Sequence, residues 1–385
     1  MIKKLILFLS YIVLLFNSNL WSNENNNREL KIGLLAPFSG EYKNLGNSLL
    51  FSIQLALDEI GDKNIKIIPR DSGTENKEKL IIATNEIIEA GAKVIIGPAS
   101  SNNFEELNKF KDIIFISLSN KDPNIKGNVI SIGISLESQI RALEKFIKNE
   151  KRNKTLIVYP KNKNTKFVDE KVKNIKLKNY KIFKYNPDPK ILTGQIEKLT
   201  NYNQRKKNLE SRKKLLENKD DIKSQNEFKE LEQKYTLGKL NFDSILIIDF
   251  GNSLKSVLAS LQFSDVDDKE VLFTTVNQWF DKSIFYKNSV KNLYYPSVNY
   301  KNFNKYNKRY TETFGAEPNE ITILAYDALG LIYYIWKKNG SIESINDFFI
   351  KGKIKGKIGV FNFNKNRVTQ ELKIYKTEDN SFIEN

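Results

Sequence analysis

The chain has no cysteine and no histidine among its 385 residues. Without cysteine it cannot form disulfides or a thiolate nucleophile, and without histidine it lacks the most common catalytic base. The usual zinc ligands are removed with them. Carboxylate chemistry remains, but no nucleophile elbow, G-x-G-x-x-G loop or G-x-x-x-x-G-K loop is present. We therefore expect a protein that is not an enzyme and that uses no cofactor or metal.

Basic residues outnumber acidic residues by 62 to 46, and the formal net charge is +16. Such an excess is typical of nucleic-acid-binding proteins. Here, however, the lysines are spread through the whole chain, and no DNA- or RNA-binding motif is present. We interpret the excess as a compositional bias and expect no nucleic-acid partner. The charge still favours contact with an anionic surface such as peptidoglycan or a membrane.

Residues 1–22 have the layout of a secretory signal peptide. Lys3 and Lys4 precede an apolar segment at 5–16, which is too short for an ordinary transmembrane helix. We expect cleavage after Ser18 or Ser22 and a soluble mature protein in the periplasm. No lipid anchor is expected, because there is no cysteine to carry it. An N-terminal anchor that stays uncleaved is the alternative.

Strands and helices alternate after this segment. An apolar run at 32–36 is typical of a strand covered on both faces, a turn with Pro37 and Gly40 follows, and an amphipathic helix extends to Ile60. Similar units recur along the chain, which predicts an α/β fold with parallel sheets. Ligands bind such sheets at the carboxyl ends of the strands, so the loop 36–45 is a candidate ligand site.

Residues 203–235 depart from this pattern. They contain ten basic and seven acidic residues and few apolar ones. Leu209 and Leu216 are seven residues apart, as are Leu215 and Ile222, which predicts two charged helices joined near 218–220 as a protruding hairpin. Charged helices of this kind are usually solvated surfaces. The alternative is an arm that docks on a partner protein.

Four motifs occur in a fixed order along the chain. IG and PFSG open the segment 32–46, VIIGPASS spans 94–101, ISLSN spans 116–120, and YNKRYTETFGAEPNEITILAYDA spans 306–328. In this order and spacing they resemble the type I periplasmic binding proteins of the leucine/isoleucine/valine-binding kind. The resemblance covers the chain from about residue 29 to its end.

The resemblance implies two doubly wound parallel-sheet lobes, here with the charged hairpin inserted in the second. Lobe 1 is then 29–134 and 297–350, and lobe 2 is 135–296 and 351–385. Three crossovers join the lobes, and they are expected near 133–137, 294–298 and 349–354.

The resemblance also implies a ligand cleft between the lobes, where loop amides and hydroxyls clamp a carboxylate. The expected ligand-binding residues on both lobes are Tyr42, Ser100, Ser101, Ser117, Ser119, Asn120, Tyr159, Asp249 and Asn277. Ser100 and Ser101 are equally well placed to cap the helix that starts near Asn102. Asp249 is the candidate partner for a ligand ammonium group, or else the cap of the next helix.

Two functions follow from this family. The first is a leucine-binding-protein-like solute-binding protein that captures an amino acid or small amide and delivers it to the membrane permease of an ABC-type transporter. The second is an interaction module like the penicillin-binding protein activators, which would dock on a penicillin-binding protein through 203–235. The neutral Asn277, the segment 235–238 and the charged insertion resemble that second branch.

Overall fold

Two β-sheets form the framework of the protein. The computed structural model describes residues 29–74, 76–100, 102–120, 127–276, 292–364, 366–378 and 381–385. The strands within these ranges are β1 (Leu30–Ala36), β2 (Ile65–Asp71), β3 (Val94–Ile96), β4 (Ile114–Ser117), β5 (Val129–Ser131), β6 (Thr155–Pro160), β7 (Tyr180–Tyr185), β8 (Ser244–Ile247), β9 (Leu272–Thr275), β10 (Leu293–Ser297), β11 (Lys353–Lys355), β12 (Val360–Asn364), β13 (Arg367–Glu371), β14 (Lys373–Glu378) and β15 (Ser381–Glu384).

Helices connect the strands and cover the sheets. They are α1 (Lys43–Ile60), α2 (Lys77–Glu89), α3 (Phe104–Leu107), α4 (Leu136–Asn149), α5 (Thr165–Val172), α6 (Pro189–Leu199), α7 (Tyr202–Glu217), α8 (Ile222–Glu232), α9 (Gly251–Phe263), α10 (Tyr300–Phe314) and α11 (Thr322–Asn339), with a short 3-10 helix at Ile345–Phe348. Within the described part of the chain, no helix has both the length and the apolar composition of a membrane span. The expected signal peptide lies outside the described residues.

The two sheets share one topology. The first has the strand order β11-β12-β13-β5-β4-β3-β1-β2, and the second has the order β15-β14-β10-β9-β8-β6-β7. Five consecutive strands of each sheet, β1–β5 and β6–β10, pair in parallel in the same relative order. In such sheets the order of connection reverses at a switch point, here between β1 and β3 and between β6 and β8, and ligands bind at that point. The predicted pair of doubly wound parallel sheets is confirmed.

The third connection between the sheets differs from the expectation. The sequence placed it at 349–354 and assigned all of 351–385 to the second lobe. In the structure, β11 and β12 pair with β13, and β13 pairs with β5 of the first sheet. Only β14 and β15 join the second sheet, so the chain crosses at Leu372. The crossover prediction was wrong because a single residue, Leu372, separates β13 from β14. A lone leucine is not a turn or linker signal, so nothing in the sequence indicated that the chain changes sheets there.

Helices α10 and α11 pack on α1 of the first sheet. The Ser52 hydroxyl donates to the carbonyl of Thr322 at 2.6 Å, and the Tyr306 hydroxyl donates to the Ser52 hydroxyl at 2.9 Å. The rings of Phe51 and Phe314 stack with their centroids 4.5 Å apart. These contacts join the segment after β10 to the N-terminal half of the first lobe.

The charged insertion forms the expected helical hairpin. Helices α7 and α8 pack through a small apolar cluster that includes Leu209, Leu216 and Leu231. The Arg212 guanidinium donates to both carboxylate oxygens of Glu227, at 2.7 and 2.8 Å. The hairpin base is fixed by Arg205, which is buried and donates to main-chain carbonyls of the segment after α9. The hairpin is therefore an ordered part of the fold.

Candidate functional site

A small cavity lies at the carboxyl ends of β1, β2 and β3, next to the switch point of the first sheet. Its volume is about 230 Å³. The described residues that line it are polar or apolar and uncharged: Pro37, Tyr42, Leu45, Ser72, Gly73, Thr74, Leu80, Pro98, Ala99, Ser100, Asn103 and Ile321. The cavity is thus positioned where an open α/β sheet binds a ligand.

Asp71, at the end of β2, holds the two loops that form one wall of this cavity. One of its carboxylate oxygens accepts hydrogen bonds from the amides of Phe38 and Gly73, both at 2.9 Å. The other accepts from the Lys79 ammonium group at 2.5 Å, and that group also donates to the hydroxyl of Ser39 at 2.8 Å. Partial burial alone would raise the pKa of Asp71, but these hydrogen bonds outweigh it and hold the pKa well below its usual value.

Two close backbone approaches explain the glycines of the recognised motifs. A Cβ at Gly46 would lie 2.3 Å from the carbonyl oxygen of Pro37, so only glycine lets α1 approach the first loop this closely. A Cβ at Gly97 would lie 2.2 Å from the carbonyl oxygen of Leu35, and its φ of +111° also favours glycine. Both glycines therefore serve the packing of the loops around the cavity.

Two of the predicted site residues line this cavity. The Tyr42 side chain is about half exposed, and Ser100 is exposed at the opposite loop. The Ser100 hydroxyl accepts a hydrogen bond from the amide of Asn102 at 3.2 Å. This hydrogen bond lies in the turn before α3, whose N-cap is Asn103, so Ser100 does not cap the helix, and its hydroxyl keeps a hydrogen available for donation to a ligand.

Three further predicted residues lie at the end of β4: Ser117 is its last residue, and Ser119 and Asn120 follow it. Ser117 is completely buried; its hydroxyl donates to the carbonyl of Pro98 at 2.9 Å and accepts from the amide of Ser119 at 3.2 Å. Ser119 is buried as well, and its carbonyl accepts from the hydroxyl of Ser131. Asn120 is exposed. Because Ser117 has no exposed surface, it positions the Pro98 loop and cannot contact a ligand in this structure.

Tyr159, predicted to wall the cleft from the second lobe, is completely buried. Its hydroxyl donates to Asp169 at 2.5 Å, and Asp169 in turn binds the Lys184 ammonium group at 2.7 Å. Burial raises the pKa of Tyr159, and the hydrogen bond to Asp169 raises it further. Tyr159 therefore belongs to the core of the second lobe, where it lies in one apolar cluster with residues of α4 and α5.

Asp249 is the predicted acid of the second lobe, and it is buried. It accepts a hydrogen bond from the Tyr185 hydroxyl and another from the amide of Phe250 at 2.8 Å, at the start of α9. The N-cap of α9 is Phe250 and has no side-chain cap hydrogen bond, so Asp249 accepts its hydrogen bonds inside its own lobe without capping the helix. Phe250, the next residue, has an exposed ring at the carboxyl end of β8. Ser101 and Asn277 lie outside the described residues.

Several cavity residues were not predicted from the sequence. They are Ser72 and Thr74 from the loop after β2, Asn103 before α3, and Ile321 before α11. The hydroxyl of Thr74 is enclosed and has no hydrogen-bond partner among the described residues. The polar residues 70–73 directly follow an apolar segment in the sequence, which is typical of the end of a strand, so the strand-end rule could have extended the candidate site to them.

Comparisons with known proteins agree with the topology. Residues 29–175 match the family described as periplasmic binding protein. No curated protein sequence matches the chain. Among solved structures, the C-domain of LpoA (YraM) from Haemophilus influenzae, a regulator of PBP1A, superposes with a TM-score of 0.61 at 16% identity, covering 92% of this chain and 99% of that domain. The chain spans 59% of full-length LpoA from the same organism.

Solved structures of transport proteins have similar TM-scores and sequence identities to the chain. The branched-chain amino acid binding protein LivJ from Streptococcus pneumoniae, solved with isoleucine, gives a TM-score of 0.54 at 15% identity over 93% of this chain and all of that one. A putative branched-chain amino acid ABC transporter protein from Rhodospirillum rubrum gives 0.69 at 11% identity over 93% of this chain and all of that one. The chain therefore has the two-lobed fold of the type I periplasmic binding proteins, and its residues 29–175 match that family in sequence.

Proposed function

We propose that the protein is a periplasmic solute-binding protein that captures a small amino-acid-like ligand for an ABC-type uptake system. The observation that carries this proposal is the cavity at the carboxyl ends of β1–β3, with Tyr42 and Ser100 on its walls. Its volume of about 230 Å³ lies below the roughly 300–1,000 Å³ that is usual for drug-sized ligands. A single amino acid or small amide is the size class that it suits.

The lining also limits the charge of the ligand. Among the described residues, none of the side chains that line the cavity is ionised, and Asp249 of the second lobe already accepts two hydrogen bonds within its own lobe. Burying an ammonium group without a carboxylate partner costs several kcal/mol, of the order of 3 or more. We therefore favour a neutral amide, whose N–H and C=O groups Ser100, Thr74 and nearby loop atoms can pair, over a zwitterionic amino acid.

The proposed mechanism is closure of the two lobes over the ligand. Ligand bound to the first lobe would recruit the second, and a membrane permease would recognise the closed form. The exposed ring of Phe250, at a strand end of the second lobe, is a candidate to cover the ligand from that side. Ser119, Asn120, Ser101 and Asn277 remain proposed contacts of the closed form.

Thermal shift and calorimetry with two matched ligand sets test this proposal. One set contains branched-chain and small amino acids, and the other contains their neutral N-acetyl amides. A ligand at a hundredfold excess over its Kd should stabilise the protein by about 2.7 kcal/mol. Ser100→Ala and Tyr42→Ala should weaken binding, whereas Ser256→Ala, which changes a partly exposed serine on α9 outside the cavity lining, should not. Absence of any shift across both sets contradicts solute capture.

The helical hairpin supports a second candidate function, that of a non-transport interaction module resembling the penicillin-binding protein activators. Leu215 and Ile222 flank the turn between α7 and α8, and both are largely exposed, at 64% and 78%. Exposed apolar side chains on an ordered, charged support are typical of a docking tip. In this case the partner would be a penicillin-binding protein that is bound through 203–235, with a role in regulating peptidoglycan synthesis.

A binding measurement separates the two functions. Surface plasmon resonance with a penicillin-binding protein of the same organism would compare the wild type with Leu215→Asp/Ile222→Asp. The matched control is Ile82→Asp, which changes another largely exposed isoleucine, at 58%, on α2. The docking function requires a loss of affinity of more than tenfold in the hairpin variant alone. Equal affinities for both variants contradict docking through the hairpin, and neither result affects the ligand screen.

A further inference from the structure

A second and larger cavity lies where the two sheets are joined. Its volume is about 740 Å³. Its walls come from the start of α4, from the segment where β10 leads into α10, and from the β13–β14 link at Leu372. These are the three places where the chain passes between the two sheets. The cavity is therefore built from all three connections of the hinge.

The charge of this cavity is strongly one-sided. Five basic side chains and one carboxylate line it, namely Arg141, Lys145, Lys353, Lys355, Lys373 and Glu371. Arg141 is paired with Glu137 and Lys353 with Glu371, each at 2.5 Å, and Lys373 is paired with Glu384. Among the described residues, Lys145 and Lys355 form no ion pair within 4.0 Å, although Lys145 adds a weaker electrostatic attraction to Glu371, which binds Lys353. Two ammonium groups are thus available at one cavity to an incoming anion.

The floor of the cavity is a fixed polar network. Gln370 is buried, and its amide nitrogen donates to the carbonyls of Ile132 and Gly133 at 2.8 and 2.9 Å. Its amide oxygen accepts from the hydroxyl of Ser138 at 3.0 Å, and that hydroxyl accepts from the Gln370 main-chain N–H, also at 3.0 Å. The network fixes α4 to β13 across the hinge, so the basic side chains project from a pre-formed base.

We propose that this hinge cavity binds a small solute that carries several anionic groups, such as a polyphosphate or polycarboxylate. Lys145 and Lys355 provide the charge, and Asn299, Asn302 and Asn362 on the lining provide neutral hydrogen-bonding groups. The volume is within the range of small-molecule sites. A ligand in this cavity contacts segments on both sides of the hinge. Among the described residues, this site shares no lining residue with the cavity of the proposed solute site.

Calorimetry with tripolyphosphate as the probe tests the site. The wild type should bind tripolyphosphate more tightly than orthophosphate, because one phosphate reaches fewer ammonium groups. Lys145→Gln/Lys355→Gln should weaken tripolyphosphate binding by roughly fivefold or more, on the scale of two exposed charge pairs. Lys111→Gln/Lys178→Gln removes the same charge from exposed positions outside the cavity and should leave the Kd unchanged. Circular dichroism confirms that both variants are folded.

Lysine footprinting gives an independent readout of position. Tripolyphosphate should slow acylation of Lys145 and Lys355, measured by mass spectrometry, and leave Lys111 and Lys178 unaffected. Equal weakening in the two double variants, equal protection of all four lysines, or no binding by the wild type overturns the proposal. A Ser100→Ala variant should lose amide binding and bind tripolyphosphate as the wild type does. This result would show that the two ligands bind at different sites.

Discussion

The buried carboxyl group of Asp327 should make the protein less stable as the pH rises from about 4 to 7. Asp327 lies on α11, and its carboxylate accepts hydrogen bonds from the amides of Lys357 and Ile358 at 2.8 and 3.0 Å. Burial raises its pKa from the ordinary 3.8 to about 6, against the opposing effect of these hydrogen bonds and of the Lys357 charge. This carboxyl holds the β11–β12 loop, which also lines the hinge cavity.

The sign and size of the effect follow from proton linkage. Between pH 3.8 and about 6 the folded protein keeps the proton of Asp327 while the unfolded chain has lost it. Raising the pH therefore favours unfolding, and the stabilisation present below 3.8 is lost as the pH passes through about 6. At roughly 1.4 kcal/mol per pH unit, the difference amounts to about 3 kcal/mol.

Urea unfolding of the wild type and Asp327→Asn at a series of pH values, followed by circular dichroism, measures this effect. The neutral amide cannot ionise, so the free energy of unfolding of the variant should rise relative to the wild type by about 3 kcal/mol between pH 4 and 7. Asp58→Asn, at an exposed position on α1, is the control and should show no such trend. A constant difference between Asp327→Asn and the wild type would refute the reasoning.

Three other variants test the cavity wall and the hairpin. Asp71→Asn should reduce the free energy of unfolding at pH 7 by about 1–3 kcal/mol, and the difference should shrink below pH 3.8, because the Asp71 pKa is lowered in the fold and its stabilisation is lost on protonation. Leu216→Ala, at a buried position, should reduce the free energy of unfolding by about 2–3 kcal/mol. Leu215→Ala, at the exposed neighbouring position, should reduce it by less than about 0.5 kcal/mol. Equal reductions in urea unfolding would contradict the packing of the hairpin. Arg205→Met should cost about 2–4 kcal/mol and speed amide exchange in α7 and α8, and unchanged exchange would show that Arg205 does not anchor the hairpin.

Local pattern was enough to predict the repeating units. The apolar run that became β1 is buried along nearly its whole length, and the helix that follows ends at Gly61, whose φ of +67° is typical of a helix C-terminus. The hairpin was also predictable, because Leu209 and Leu216 are seven residues apart, and this spacing places both on the inner face of α7. Signals of this kind lie within ten or fifteen residues and need no knowledge of the partner element.

Tertiary geometry determined the features that the sequence did not reveal. Ser117 is a polar residue at a strand end, as a ligand-binding serine would be, but the Pro98 carbonyl lies 2.9 Å from its hydroxyl and takes its hydrogen bond. Ile321 lines the first cavity from the residue before α11, more than 200 residues along the chain from the other lining loops. The crossing at Leu372 depends on strand pairing with β5, which no local pattern encodes.

The clustering of basic residues at the hinge cavity is another feature that could not be predicted from the sequence. Lysines spread evenly along a sequence indicate compositional bias, and that interpretation says nothing about where the charges meet. Arg141 and Lys145 come from α4, Lys353 and Lys355 from β11, and Lys373 from β14, yet all five line one cavity. They converge because the three connections between the sheets meet at the hinge. A charge cluster assembled by crossovers is invisible in sequence, and for that reason the hinge cavity could be recognised only in the folded chain.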